Sequence, residues 1–214
     1  YALQRLRPVP VTGATQTVLS WDLEVEGARE EVRFIDHFGN DTRLYSVSGE
    51  TQRIAAIARG EVETRDTAGV HGAHTGFAPL WLFRRETPLT AAGERVAALV
   101  AGLSEGSDIE RLHQLMAAVA GRVAYQVGST DVATGAEQVL TSGAGVCQDH
   151  AHVFIAAARR LGFPARYVSG YLKLEAAEQT ASHAWAEAHV DSLGWVAFDP
   201  SNGISPDARY VRLA

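Results

Sequence analysis

The chain has 214 residues, of which 46% are hydrophobic, enough for a buried core and too many for an intrinsically disordered chain. Its 19 Lys and Arg against 25 Asp and Glu leave a formal net charge of −6, so charge gives no reason to expect nucleic acid or an anionic membrane as a partner. No apolar run approaches the ~20 residues that cross a bilayer. The single Cys excludes an intrachain disulfide and a Cys-rich zinc site.

The first part of the chain alternates in hydrophobicity in the way that β-strands do. A cluster of turn-forming residues at 37–41 lies between two of these segments, which is a hairpin signature. We therefore expect an antiparallel meander in a β-sandwich-like N-terminal domain spanning residues 1–80, without catalytic residues. The predicted strands lie at residues 17–25, 31–35, 43–47, 54–57 and 61–65.

Residues 67–90 are rich in Gly, Thr and Pro and are predicted to form a connector. His71 and His74 lie in it. Two His residues without a third ligand are weak evidence for a metal site. The favoured interpretation is a solvated loop.

The second half, residues 81–214, is predicted to be a separate domain that opens with helices. One helix is expected over residues 90–102. Ser107 and Glu110 form a capping box for the next, whose apolar residues follow at steps of three and four. Thr134 and Glu137 have the same spacing and predict a short helix that ends near residue 143.

A glycine-rich turn then leads into a helix of about 15 residues whose first turn carries Cys147. This helix is expected to end at Gly162, with Pro164 beyond it. Strands are predicted at residues 165–169, 183–190 and 195–199, with a polar loop at 173–182 between the first two. The fold class is therefore α+β, with the Cys147 helix preceding an antiparallel sheet.

Three residues in the second half form a pattern typical of thiol catalysis. Unpaired N–H groups and the dipole at a helix N-terminus stabilise a thiolate and can hold an oxyanion, which suits Cys147 as a nucleophile. Gly143 and Gly145 would leave room there for a substrate backbone. His183 begins a strand and suits a general base, and Asp199 ends the returning strand and suits a group that orients the base.

The proximity of His183 to Asp199 depends on strand register. With Trp185 opposite Asp199, His183 lies diagonal to Asp199 on the same sheet face, roughly 7–8 Å away by Cα. A slip of one residue would move Asp199 to the other face.

These residues lie in segments that resemble the transglutaminase-like superfamily, in particular its bacterial cysteine proteases. The matching segments are residues 143–152, 159–171, 183–187 and 194–200, and residues 36–40 resemble the β-rich region that precedes the core in bacterial members. The resemblance implies a papain-like core with Cys147 as nucleophile, His183 as base and Asp199 as orienting residue. Family members usually extend beyond both ends of this chain, so we expect both ends to be truncated.

Several neighbours are candidates for supporting roles. Family members place an aromatic or polar donor near the position of Tyr125, which could serve an oxyanion hole or simply end a helix in the core. Gln148 adjoins the nucleophile, and Glu187 is expected to support the site from behind. Trp185 is expected to pack in the core or to wall the substrate groove, as is Trp195.

Other polar residues of the same segments are expected to be structural. Asp149 is expected to cap the Cys147 helix. His150 and His152 point apart on a helix and so do not form a metal pair. No cofactor or metal is expected.

The predicted reaction is acyl transfer from a protein or peptide amide through a Cys–His–Asp triad, with hydrolysis favoured. Transfer to an amine, as in a transglutaminase, uses the same triad and is the alternative; the absence of an acidic cluster suited to Ca²⁺ weakens it. A non-catalytic binding module is a third interpretation. A metal-dependent hydrolase using Cys147, His183 and His189 is disfavoured because His189 lies too far along its strand. The lone Cys suggests a cytoplasmic protein, and oligomeric state is left open.

Overall fold

The computed structural model describes residues 2–49, 53–174 and 182–214, and in these the chain forms twelve strands and four α-helices. The N-terminal strands are β1 (Ala2–Leu6), β2 (Gln16–Glu26), β3 (Arg29–Ile35), β4 (Asp41–Val47), β5 (Ala55–Thr64) and β6 (Val70–Gly72). The helices are α1 (Glu94–Ala101), α2 (Asp108–Arg122), α3 (Ala136–Ser142) and α4 (Cys147–Arg160). The remaining strands are β7 (Ala124–Tyr125), β8 (Ala144–Gly145), β9 (Ala165–Leu172), β10 (His183–Val190), β11 (Gly194–Phe198) and β12 (Tyr210–Arg212). Most of the predicted polar loop, residues 175–181, lies outside the described residues.

The N-terminal region consists of a three-stranded antiparallel sheet, in the order β1-β4-β3, and a long ribbon of β2 and β5. The predicted hairpin is confirmed as β3–β4, and its turn is held by Asp36, whose carboxylate accepts the N–H groups of Phe38 and Asn40. The predicted meander is wrong, because β2 pairs with β5 and not with β3. The two short strands predicted at 54–57 and 61–65 are one strand. Gly60 does not break it and lies opposite Trp21, where a Cβ would meet the indole ring.

The connector was predicted to be a solvated loop, and this is wrong. β6 pairs with β11 at the edge of the second sheet, so residues 70–72 belong to the core. His74 is engaged through both ring nitrogens: Nε2 lies 2.7 Å from the carbonyl of Ala78, and Nδ1 accepts the Trp195 indole N–H. These contacts fasten the connector to the core.

The first helices follow the predicted pattern with one long-range exception. The capping box of Ser107 and Glu110 is confirmed at the start of α2. The box predicted at Thr134 is wrong, since Gly135 precedes α3. Glu137 instead reaches across to the start of α1, where its carboxylate accepts N–H groups from Gly93, Arg95 and Val96.

This contact explains why α1 begins at Glu94 and not at residue 90. Residues 88–90 form a separate 3₁₀ turn before it. The carboxylate of Glu137 satisfies N–H groups that a helix start leaves unpaired.

The second sheet, in the order β12-β9-β10-β11-β6, is antiparallel throughout and carries α4 on one face. α4 is buried along most of its length, and Phe154 stacks on Phe198 of β11 with ring centroids 5.1 Å apart. Small residues of β10, Ala186 and Ala188, lie in the same buried cluster. Helices α1, α2 and α3 pack around α4, giving the α+β architecture of helices on an antiparallel sheet that was predicted.

An ion cluster lies beneath the sheet near the N-terminal region. The fully buried carboxylate of Glu187 is 2.6 Å from Arg166 and 2.9 Å from Arg212, with His71 at 3.5 Å. Burial alone would raise the pKa of Glu187, but the two guanidinium groups outweigh it and hold this pKa well below its usual range. The backbone of Arg212 is in turn bound by the Gln16 side chain, which joins β2 to the core.

No helix within the described part of the chain is long and apolar enough to cross a membrane.

Glu187→Gln is expected to destabilise the fold by about 3–5 kcal/mol, because it leaves two buried guanidinium groups without their counter-charge. Urea unfolding of the variant measures this cost. Glu24→Gln is the matched control, since its 3.6 Å pair with Arg59 is largely exposed and its loss should cost under about 1 kcal/mol. Equal losses in the two variants would contradict the role given to the cluster.

Candidate active site

Cys147 is the first residue of α4, as predicted, and is half-buried. The chain enters the helix through β8, which pairs in parallel with β7. Asp149 fixes the entry: its carboxylate accepts the Val146 N–H at 2.7 Å and the Thr130 hydroxyl at 2.6 Å. Asp149 is therefore the helix cap that the sequence predicts. The sulfur lies where the N–H groups of the first turn have no carbonyl of their own helix to bind.

The glycines before Cys147 were expected to make room for a substrate, and the structure gives them other roles. Gly143 ends α3 in the left-handed conformation, with φ 71°. A Cβ on Gly145 would lie 2.6 Å from the Cβ of Asp149, so the space is already filled by the cap. Both glycines shape the turn that delivers Cys147.

The hairpin of β10 and β11 has the register that the proximity of His183 to Asp199 requires. Its last pair is Ala186 with Phe198, and continuing by one residue places Trp185 opposite Asp199. His183 and Asp199 then meet directly: Nε2 of the imidazole lies 2.6 Å from Oδ2 of the carboxylate. The carboxylate is fully buried and the imidazole nearly so.

The side chain of Cys147 lies close enough to the His183 imidazole to help raise the pKa of that ring, together with Asp199. Burial by itself lowers the pKa of His183, but the interactions with Asp199 and Cys147 outweigh it and raise this pKa to about 9. The structure thus brings together the three side chains predicted to act together.

Asp199 is held by donors that the sequence analysis missed. Oδ1 accepts the N–H and hydroxyl of Ser201, at 3.0 and 2.7 Å. Oδ2 accepts the Asn202 amide at 2.7 Å and the Tyr210 hydroxyl at 2.8 Å, besides His183. Burial raises the pKa of Asp199, but the hydrogen bond and charge of His183, with these donors, bring it down to about 2. Ser201 and Asn202 directly follow Asp199-Pro200, so a predicted turn there could have identified them as partners of Asp199. Tyr210 lies in β12, and no local sequence pattern connects it with Asp199.

Two tyrosines lie near the thiol. Tyr125, in β7, has a largely exposed side chain, and burial together with negative charge at Cys147 and Asp199 raises its pKa. It therefore lies at the rim of the site and not in the core. Tyr167 of β9 was not singled out from the sequence; burial and the charges of Cys147 and Asp149 raise its pKa to about 12. Both phenols are neutral hydrogen-bond donors at physiological pH.

Of the remaining candidates, Trp185 is fully buried and stacks 6.2 Å from the His183 ring, so it packs behind the base. Trp195 is also buried and carries the Arg166 guanidinium 4.0 Å above its ring. Glu187 belongs to the ion cluster already described, which places it under the sheet. Gln148 is half-buried beside Cys147.

The histidines of α4 are structural. Both ring nitrogens of His150 lie 2.9 Å from backbone carbonyls, those of Val146 and Val123, which ties the start of α4 to the end of α2. His152 is buried against Tyr167. Within residues 2–49, 53–174 and 182–214, no three His, Cys, Asp or Glu side chains are grouped as metal ligands would be.

Comparison with known families agrees with this geometry. Residues 97–200 match the transglutaminase-like superfamily, and residues 1–63 match the bacterial transglutaminase-like N-terminal region. The chain belongs to the transglutaminase-like superfamily. Its N-terminal β-region is of the bacterial type, and its core contains Cys147, His183 and Asp199.

Two mycobacterial proteins show how far the sequence similarity extends. One from Mycobacterium leprae is 27% identical over 97% of this chain and 79% of its own length. One from Mycobacterium tuberculosis is 35% identical over a segment that covers 48% of this chain and 36% of that protein. The crystal structure of a "putative cysteine protease" from Cytophaga hutchinsonii superposes with a TM-score of 0.78 at 22% identity, covering 99% of this chain and 75% of that one. The last comparison shows a shared fold.

Asp199→Asn is expected to lower the pKa of His183 from about 9 towards the 6.5 of a free imidazole, because the carboxylate stabilises the imidazolium. NMR titration of the His183 ring measures this without any substrate. Asp191→Asn is the control, because Asp191 is exposed and lies 3.7 Å from His189 instead. An unchanged His183 titration in the Asp199 variant would contradict the pairing.

Proposed function

We propose that this transglutaminase-like protein is a thiol-dependent acyl-transfer enzyme that hydrolyses amides of peptides or proteins. The observation that carries the proposal is the His183 imidazole, which is hydrogen-bonded to Asp199 and lies near enough to Cys147, at the start of α4, for the two to affect each other electrostatically. This is the arrangement of nucleophile, base and orienting group that covalent catalysis requires. The family supports an enzyme of this general class, and the reaction and residue roles are the proposal.

In the acylation step, the Cys147 thiolate attacks the carbonyl carbon of the amide and forms a C–S bond. The His183 imidazolium gives its proton to the amide nitrogen, the C–N bond breaks, and the amine leaves. Asp199 keeps the imidazole in place and stabilises its positive charge, as the orienting residue of a triad does. The product is a thioester on Cys147.

The negative charge on the tetrahedral oxygen needs donors. The backbone N–H groups of Cys147 and Gln148 lie in the unpaired first turn of α4, where the helix dipole also favours an anion. Tyr125 lies near enough to sense charge at Cys147, and its hydroxyl is the proposed side-chain donor.

In the deacylation step, neutral His183 removes a proton from water as the water oxygen attacks the thioester. The C–S bond then breaks, the acid is released, and the Cys147 thiolate and the His183 imidazolium are restored. An amine in place of water would form a new amide by the same steps. Release of acid against incorporation of an amine is therefore the measurement that separates hydrolysis from transamidation.

Cys147→Ala is expected to abolish amide turnover while shifting the melting temperature by only about 1–2 °C, since a half-buried side chain is shortened by one atom. Peptide libraries with and without an amine acceptor, followed by mass spectrometry, measure turnover and product. Arg160→Gln is the control, because Arg160 is exposed at the far end of the same helix, and it should retain turnover. Activity retained in the Cys147 variant would refute the nucleophile.

The pH dependence tests the base independently. The imidazolium of His183 is needed to protonate the leaving amine, so kcat/KM should fall as pH rises through about 9. Asp199→Asn should move this alkaline limb to lower pH, because it removes the group that raises the pKa. Asp199 itself, with a pKa of about 2, stays ionised and should produce no limb above pH 4. If kcat/KM of the Asp199→Asn variant falls at the same pH as that of the wild-type protein, His183 is not the group that protonates the leaving amine.

A further inference from the structure

A cleft of about 620 Å³ lies between the N-terminal region and the core, in the size range of ligand sites. Its most distinctive feature is positive charge in a protein whose net charge is −6. Among its lining residues, one acidic side chain, Glu86, faces five arginines: Arg7, Arg85, Arg159, Arg166 and Arg212.

Three of the five arginines have nearby counter-charges. Arg7 pairs with Asp36 at 2.7 Å. Arg166 and Arg212 share the single carboxylate of Glu187. The cluster of these two arginines therefore keeps an excess positive charge.

Arg159 and Arg85 are different. Among the residues that the structure describes, neither guanidinium has a carboxylate within ion-pair distance. Arg159 is held by neutral acceptors, the carbonyls of Ala165 and Arg85 and the hydroxyl of Thr90. Burial lowers the pKa of Arg159 to about 10, and the nearby negative charge of Glu86 opposes this shift. The four hydrogen bonds use four of its five N–H donors, so Arg159 adds a fixed positive charge and one free N–H to the cleft wall.

The cleft also has apolar walls and a connection to the thiol. Phe38 and Phe83 line it between the charged groups, and their rings lie 5.6 Å apart. Tyr167 lines it as well, and its ring lies 5.4 Å from that of His152 on α4, the helix that begins at Cys147. Charge at Cys147 also helps to raise the pKa of this phenol.

We infer that this cleft binds an acidic stretch of the peptide substrate, with Arg85 binding a carboxylate and Arg159 supplying fixed positive charge beside it. The inference rests on the proposed function, because it takes the bound peptide to be the substrate. Binding of the peptide itself does not depend on turnover. The alternation of arginines with aromatic rings suits a peptide that carries both carboxylates and apolar side chains. Specificity would then be set partly at a distance from the scissile amide.

The binding test uses the full-length protein with Cys147→Ala, so that nothing is turned over. The probes are two fluorescein-labelled peptides that are identical except that one carries Asp where the other carries Asn, and fluorescence anisotropy measures their binding. We expect the Asp peptide to bind about tenfold more tightly, and raising NaCl to about 0.5 M to erase most of this preference. Equal binding of the two peptides would overturn the inference.

Matched variants locate the charge. Arg85→Gln should weaken binding of the Asp peptide about threefold, and Arg159→Gln should weaken it further. Arg160→Gln is the control, because Arg160 is exposed at the end of α4 and is not among the cleft-lining residues. If Arg159→Gln lowers the melting temperature, its weaker binding could reflect unfolding, and only Arg85→Gln is compared with the control. If Arg160→Gln weakens binding of the Asp peptide as much as Arg85→Gln does, the preference reflects the overall charge of the protein. That result would overturn the proposed site.

Turnover by the wild-type protein separates the two proposals. A binding preference for the Asp peptide without cleavage of any peptide would support the cleft and contradict the proposed hydrolysis. Cleavage of the Asp and Asn peptides at equal kcat/KM, with equal binding, would support the hydrolysis and contradict the cleft. A preference that appears in KM and is lost in Arg85→Gln would support both.

Discussion

The whole arrangement depends on the register of one hairpin. Side chains of a strand alternate between faces, so the pairing of β10 with β11 decides whether His183 and Asp199 meet. The turn between the strands leaves little freedom: Gly194 has φ 77°, and a Cβ there would collide with the backbone of Gly72 in β6. The connector that closes the sheet therefore also helps to hold the hairpin that aligns the base.

Cys147 reaches the same point through a separate set of contacts. Asp149, Gly145 and β7 set where α4 begins, and packing of α4 across the alanines of β10 sets how far Cys147 lies from the sheet. Two rigid elements, each fixed by its own contacts, thus present the sulfur and the imidazole to each other. Both groups lie on regular secondary structure, Cys147 in α4 and His183 in β10.

Local patterns in the sequence predicted those parts of the fold that local physics decides. Alternation predicted β10, capping spacing predicted α2, and the stop signal of Gly162 and Pro164 predicted the end of the Cys147 helix. The errors arose where a distant partner overrides the local pattern: Glu137 leaves its own helix for the start of α1, and β2 pairs with β5 across the intervening hairpin. Tyr210 was missed for the same reason, since only the pairing of β12 with β9 brings it to Asp199.

The hydrogen-bond donors around Asp199 explain why its carboxylate stays ionised beside the His183 imidazolium. A buried carboxylate with few partners would take up a proton and lose its hold on the imidazole. Here the Tyr210 hydroxyl, the Asn202 amide and the Ser201 groups surround it, and its pKa of about 2 lies far below the value of about 9 for His183. Between these values the aspartate is negative and the imidazole positive. Cys147 therefore faces a cation across the neutral range, and the sulfur that begins α4 is next to both a helix dipole and an imidazolium.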